Sequence, residues 1–190
     1  MKKHILDRYS KTEDNKFIID IAAEKVADLY NNFDKYTPYI KKELDPDLVE
    51  YLTDSVREIG KEAFIIQFSL SSETEKKLVS RIKKSIQNYY IYLTELEHRE
   101  LARMMRTSLI LLGIGITILF LSVWLNLQIT ENNSVIAHVF AEGLTVAAWV
   151  SLWEALATFL INWAPHRQLI KMYDRIAKAP IQFCKSIESA

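Results

Sequence analysis

Two glutamates, Glu142 and Glu154, lie within a stretch from Val139 to Trp163 that is otherwise apolar enough to cross a bilayer. An ionised carboxylate at the centre of a membrane helix costs about 2.5–3.5 kcal/mol on translocon scales. Such a residue faces protein or water. Glu154 falls within about 20° of Gly143 and Ala147 when residues are projected at about 100° each. Gly143, Ala147, Ser151 and Ala155 recur every four residues, a small-residue stripe of the kind that lets membrane helices approach closely. The expectation is a carboxyl aimed into a packed seam. There it could be a polar lining, a proton-binding gate, or a neutral carboxyl that hydrogen-bonds a neighbouring helix as structural glue.

Glu142 occupies another face, which also carries Trp149 and Trp153, nearer the outer boundary where snorkelling toward water is open to it. His138, one turn earlier, is spaced to pair with it. His4, His98, His138 and His166 are otherwise scattered, and the single cysteine, Cys184, permits neither an intrachain disulfide nor a cysteine-based zinc site. No metal site is expected. With four glycines in the chain, no Walker loop, nucleophile elbow or dinucleotide fingerprint is present. No catalytic residue and no cofactor is expected, and the chain reads as a non-enzyme.

The elements that position these residues begin with the span before them. Thr107 to Thr130 contains no Asp, Glu, Lys or Arg, and about twenty helical residues at about 1.5 Å each cover a hydrocarbon core of about 30 Å. The spans are expected at about 107–128 and 138–164. Arg99, Arg103 and Arg106 precede the first. His166, Arg167, Lys171, Arg175 and Lys178 follow the second, and the connection from Gln128 to Ala137 holds no Lys or Arg. The positive-inside rule then places both termini in the cytoplasm, as for a multi-pass protein of the cell inner membrane. Arg99, Arg103, Arg106, Arg167, Lys171 and Arg175 are the expected contacts to lipid headgroups. The apolar stripe Leu169, Ile170, Tyr173, Ile176 and Ala177 reads as an interfacial helix ended by Pro180.

Of 24 basic and 24 acidic residues, 19 of each lie before Thr107. The leading segment is thus a water-soluble domain without net charge, which argues against specific nucleic-acid binding. The basic run Lys76, Lys77, Arg81, Lys83 and Lys84 reads as a solvated helix face followed by core tyrosines. Phe17 to Ile21 reads as a strand leading into a helix over Glu24 to Phe33. Asp45 and Pro46 start a helix that Gly60 stops. Ala63 to Leu70 alternates as a second strand, and Ser72 with Glu75 forms a capping box opening a long helix that meets no Gly or Pro before Gly113. Two strands make a poor isolated sheet, so a further strand is expected, with Ile181 and Phe183 after Pro180 as one source.

From Glu142 onward the chain resembles a family of prokaryotic two-span membrane proteins with a cytoplasmic N-terminal domain. The shared features are Glu142-Gly143, the centre from Trp149 to Trp153, the exit from Trp163 to Arg167, and Tyr173. Members of that family often carry a proline near the position of Ala155, so its absence here implies a straighter helix. The resemblance implies a fold and no activity.

The architecture expected is a small α+β cytoplasmic domain and helical stalk (1–106), joined by a long helix to a two-helix transmembrane hairpin (107–164), then an interfacial helix and tail (165–190). The expected function is an oligomeric membrane protein, as a small pore or sensor with a polar seam at Glu154. Its partners would be membrane lipids and further copies of itself. The alternative is a membrane-anchored scaffold that docks a cytoplasmic protein through the N-terminal domain. A cysteine introduced by Asn133→Cys should react with an impermeant thiol reagent on sealed cells while Cys184 stays unlabelled. Labelling of Cys184 would reverse the topology.

Overall fold

The structure, a computed structural model, describes residues 6–34, 36–71, 76–129 and 135–185. The element order is β1 (Phe17–Ala23), three 3-10 turns, α1 (Pro46–Ile59), β2 (Phe64–Leu70), α2 (Lys76–Ile129), α3 (Val135–Lys178) and β3 (Ile181–Lys185). The chain divides into two compact units, one of Met1–Glu95 with Leu169–Ala190 and the other of Leu96–Gln168.

In the first unit the sheet order is β1-β2-β3, with both pairings parallel. Ile19 pairs with Ile66, and Ile66 with Ile181. Parallel strands need long crossovers. The β1-to-β2 crossover contains α1, and the chain between β2 and β3 contains α2 and α3. The third strand is therefore the C-terminal segment that the alternation after Pro180 suggested. The alternation of Phe64, Ile66, Phe68 and Leu70 is kept, but Ile65 is buried as well, because a central parallel strand is covered on both faces. Phe183 stacks on Phe68 with ring centroids 5.3 Å apart.

Helix α1 has the punctuation that its residues announce. The Asp45 carboxylate accepts the Asp47 N–H at 3.0 Å, Pro46 occupies the first turn, and Gly60 closes the helix at φ +72°. Leu52, Val56 and Ile59 turn inward to Ile19, Phe64 and Phe68, where Ile82, Ile86 and Tyr90 of α2 complete the core.

The helix expected over Glu24 to Phe33 is replaced by two 3-10 turns, Val26–Leu29 and Asn32–Asp34. Side chains capture the backbone there. Asp28 accepts the Lys25 N–H, Asn31 accepts the Phe33 N–H, and Asp34 accepts the Glu43 N–H. Such local bonds compete with a helical ladder, and Phe33, at 98 % exposure, supplies no burial to oppose them. The Ser72–Glu75 capping box lies outside the described residues. Helix α2 is unbroken over Lys76–Ile129.

The stripe expected to lie on a membrane surface has another role. Met172, Ile176 and Ala177 are buried in the core of the first unit, with Leu169 and Tyr173 packed against it. Arg175 donates to the carbonyls of Gly60 and, at 2.6 Å, of Glu62, and lies over the Phe64 ring at 5.0 Å. Its guanidinium ties down the turn between α1 and β2 instead of reaching for lipid headgroups. The physical reason is that β3 must pair with β2, and this draws the preceding helical turns onto the same core.

Tyr30 and Tyr90 are buried with hydroxyls that make no hydrogen bond of ordinary geometry. Burial pushes the Tyr30 hydroxyl up to about 12; the Ser85 hydroxyl beside it offsets part of that shift, and Tyr39 adds to it. Below about pH 10 the phenol is neutral in both states. From there to about pH 12 the unfolded chain releases a proton that the folded chain keeps, so stability falls as pH rises. Tyr30→Phe should be within about 1 kcal/mol of wild type at neutral pH, since it removes an unpaired buried hydroxyl. In urea titrations it should then gain on wild type by up to about 1.4 kcal/mol per pH unit across the alkaline window. Parallel alkaline profiles for the two proteins would contradict this account.

Candidate functional site in the apolar helix pair

The second unit holds the segments of α2 and α3 that are long and apolar enough to cross a membrane. In their most apolar 18-residue windows only 17 % and 11 % of residues are buried by the chain itself. A core helix of a water-soluble protein would be mostly covered. Here Ile110, Phe120, Trp124, Phe140, Val146, Leu160 and Ile161 are all more than half exposed.

The two helices meet along small residues. Ser108 and Ser122 of α2 are buried, with Gly115 midway between them, and Ala141, Ala148 and Ala155 of α3 are buried opposite. Both sets repeat every seven residues. The Ser122 hydroxyl donates to the Ala141 carbonyl at 3.0 Å and lies 2.6 Å from the Thr145 hydroxyl. A Cβ on Gly115 would stand 3.1 Å from the Leu152 side chain and 3.2 Å from its backbone nitrogen. These contacts are tighter than most that a Cβ makes, so any larger residue would have to push Leu152 aside.

The seam within the chain is thus a different set from the four-residue stripe Gly143, Ala147, Ser151 and Ala155. Of Gly143, Ala147, Ser151 and Ala155, only Ala155 is buried; Gly143 and Ala147 are exposed and Ser151 is half-buried. The reason is geometric. A step of four residues turns about 40° away from a straight line, so four such positions wind round the helix, whereas a step of seven drifts by only about 20°. The seven-residue set stays on one face, and a strict repeat of seven is the signature of left-handed helix pairing.

Glu154 is accordingly on the outer surface of the pair, together with Gly143 and Ala147. Trp149 and Trp153 are exposed at 66 % and 71 %. Glu142 and His138 do come together, with His138 Nε2 3.9 Å from a Glu142 carboxylate oxygen, but both side chains are exposed and the separation is too long for a hydrogen bond.

One polar contact escaped the sequence reading. His166 Nδ1 and a Glu97 carboxylate oxygen are 2.7 Å apart, joining α2 to α3 with both side chains mostly buried. The two residues are far apart in the chain, and no local spacing announces the pair. On α3, Phe159 stacks on Trp163 at 6.4 Å and the Arg167 guanidinium lies 4.8 Å over Trp163. Of the expected headgroup contacts, Arg99, Arg103, Arg106 and Arg167 are exposed in this unit, Arg103 lying 3.3 Å from Glu100. Lys171 is exposed in the other unit.

Each unit carries a cleft among its described residues. In the first unit, Pro38, Tyr39, Ile40, Arg81 and Lys84 line an open groove of about 330 Å³. In the second, a groove of about 230 Å³ runs between the two helices beside Ser108 and Ala155. Among the described residues no group of three or more His, Cys, Asp or Glu side chains is placed to hold a metal ion.

No family model, curated protein or solved structure matches the chain. The functional reading therefore rests on the geometry of these helices.

Gly115→Val should destabilise the helix pair by about 1–3 kcal/mol, the ordinary range for overpacking a closely fitted contact. Gly113→Ala, where an added Cβ meets nothing within 4 Å, should not destabilise the pair. Thermal unfolding in detergent distinguishes the two positions; equal effects would mean that the seam does not hold the pair together.

Proposed function

We propose that this chain is an integral membrane protein of the cytoplasmic membrane, with both termini inside, that self-associates through the outer face of α3. The observation that carries the reading is the division of small residues into two sets. The seven-residue set is consumed within the chain, while Gly143 and Ala147 are left open beside an exposed Glu154. In a bilayer this arrangement is unfavourable for a single copy, because a carboxyl facing hydrocarbon is costly. A second copy packed on the open stripe covers Glu154 and gives it hydrogen-bonding partners.

An assembly built this way has a polar intramembrane seam, and two spans per chain need several copies to enclose a path. The activity proposed is a small non-enzymatic pore or membrane sensor in which Glu154 is the lining or gating group. A second reading is favoured by a separate observation. Phe33, Tyr36 and Ile40 of the first unit are exposed at 98 %, 101 % and 54 %, the kind of apolar surface that a scaffold offers to a protein partner.

Ala147→Leu adds bulk to the open stripe and should lower oligomer size in nanodiscs without unfolding the monomer. Glu154→Gln keeps the shape and should leave assembly nearly intact, yet change solute flux in liposomes and abolish its pH dependence. If Glu154 is structural glue alone, Gln is mild in every assay and Glu154→Leu costs the assembly about 0.5–2 kcal/mol. Wild-type liposomes that pass no ions or small solutes between about pH 5 and 8 would remove the pore and leave the scaffold reading in front.

A further inference from the structure

Helix hydroxyls in apolar surroundings need a partner, and in the second unit most have one. Thr107, Thr117, Thr145 and Ser151 each donate to the carbonyl four residues back, and Ser122 donates across the seam. Ser108 is different. It is 5 % exposed, and its hydroxyl oxygen is closed to solvent with no hydrogen bond to any described group. A buried polar group left unpaired costs about 1–3 kcal/mol, so the place where Ser108 can acquire a partner carries information.

That place is the groove of about 230 Å³ between α2 and α3. Ser108 and Ala155 form its floor and are buried; Leu109, Leu156 and Phe159 form walls that are exposed at 63 %, 49 % and 37 %. Ser108 is among the residues that line the groove. The space is smaller than the about 300–1,000 Å³ of sites that enclose a whole small molecule, and it suits one stretch of an elongated apolar ligand. Water is a poor occupant, since an ordered water needs two to four polar partners and Ser108 is the only polar residue lining the groove. An apolar side chain from another protein would fill the space and leave the hydroxyl unpaired.

We propose that this groove holds one acyl chain of a diacyl glycerophospholipid, with the Ser108 hydroxyl donating to the ester carbonyl. A chain in the groove covers Leu109, Leu156 and Phe159, and the ester oxygen pairs the Ser108 hydroxyl. The assignment rests on the membrane reading above but not on self-association or flux.

The test uses the full-length protein in detergent, supplied with a diacyl phosphatidylglycerol or with its dialkyl ether analogue, which has the same headgroup and chains without the carbonyls. Native mass spectrometry counts the lipid retained. Wild type should retain the diacyl form about 2- to 10-fold better, the range expected for one net hydrogen bond. Ser108→Ala should erase that preference while circular dichroism stays unchanged, and Leu156→Trp, which fills the groove, should lower retention of both lipids. Equal retention of the two lipids by wild type, or a preference that survives Ser108→Ala, overturns the site. So does a change of oligomer size in Ser108→Ala with lipid retention unchanged, which would assign the groove to a second copy. Alkaline carbonate extraction of native membranes separates the two ideas. A chain that stays in the pellet without an ester preference loses only the lipid site, while a chain released to the supernatant loses the membrane reading as well.

Discussion

The constraint from which the rest follows is apolar surface that the chain does not cover. In the apolar windows of α2 and α3, fewer than one residue in five is buried, and at about 25 cal/mol per Å² such exposure to water would be prohibitive. A covering from outside the chain is therefore built into the reading of every residue in these segments. Inside hydrocarbon the hydrophobic effect no longer presses helices together, and close packing of small residues with a few hydroxyl bonds takes over. Ser108, Gly115 and Ser122 against Ala141, Ala148 and Ala155 are that solution within one chain.

The same change of solvent sets the meaning of the polar residues. Glu97 and His166 pair at 2.7 Å across the helices, Ser122 is satisfied across the seam, and Glu142 sits loosely beside His138. Glu154 and Ser108 are unlike these. One is a carboxyl turned outward on an open stripe, the other a hydroxyl turned inward on an apolar groove. In the proposed reading each takes an occupant from outside the single chain, and the chemistry of each narrows the choice. A carboxyl beside small residues suits another helix, whereas a lone donor beside leucines and a phenylalanine suits an acyl ester.

The first unit obeys ordinary aqueous rules. Its core draws on β1, α1, β2, the start of α2, the end of α3 and β3, so residues more than a hundred positions apart share one hydrophobic cluster. Arg175 shows the consequence. Its guanidinium bonds the carbonyls at Gly60 and Glu62, capping a turn whose positive-φ glycine leaves carbonyl groups in need of donors. A residue that looks like part of a basic juxtamembrane cluster is thereby a structural clasp.

What the sequence determined by itself was whatever depends on near neighbours. The length of the uncharged run from Thr107, the Asp45-Pro46 start and Gly60 stop of α1, the alternation in β2 and the strand after Pro180 all follow from local spacing and are visible without a fold. Local reasoning failed where side chains took the backbone from a helix, at Asp28, Asn31 and Asp34. It is silent where the answer depends on which face meets which. Both small-residue stripes are written in α3, and only the approach of α2, with Gly115 set against Leu152, selects the seven-residue one. The pairing of Glu97 with His166, the clasp at Arg175 and the orphaned hydroxyl of Ser108 were likewise decided by tertiary structure. Each depends on a contact between segments far apart in the chain, and periodicity within one helix carries no information about its partner.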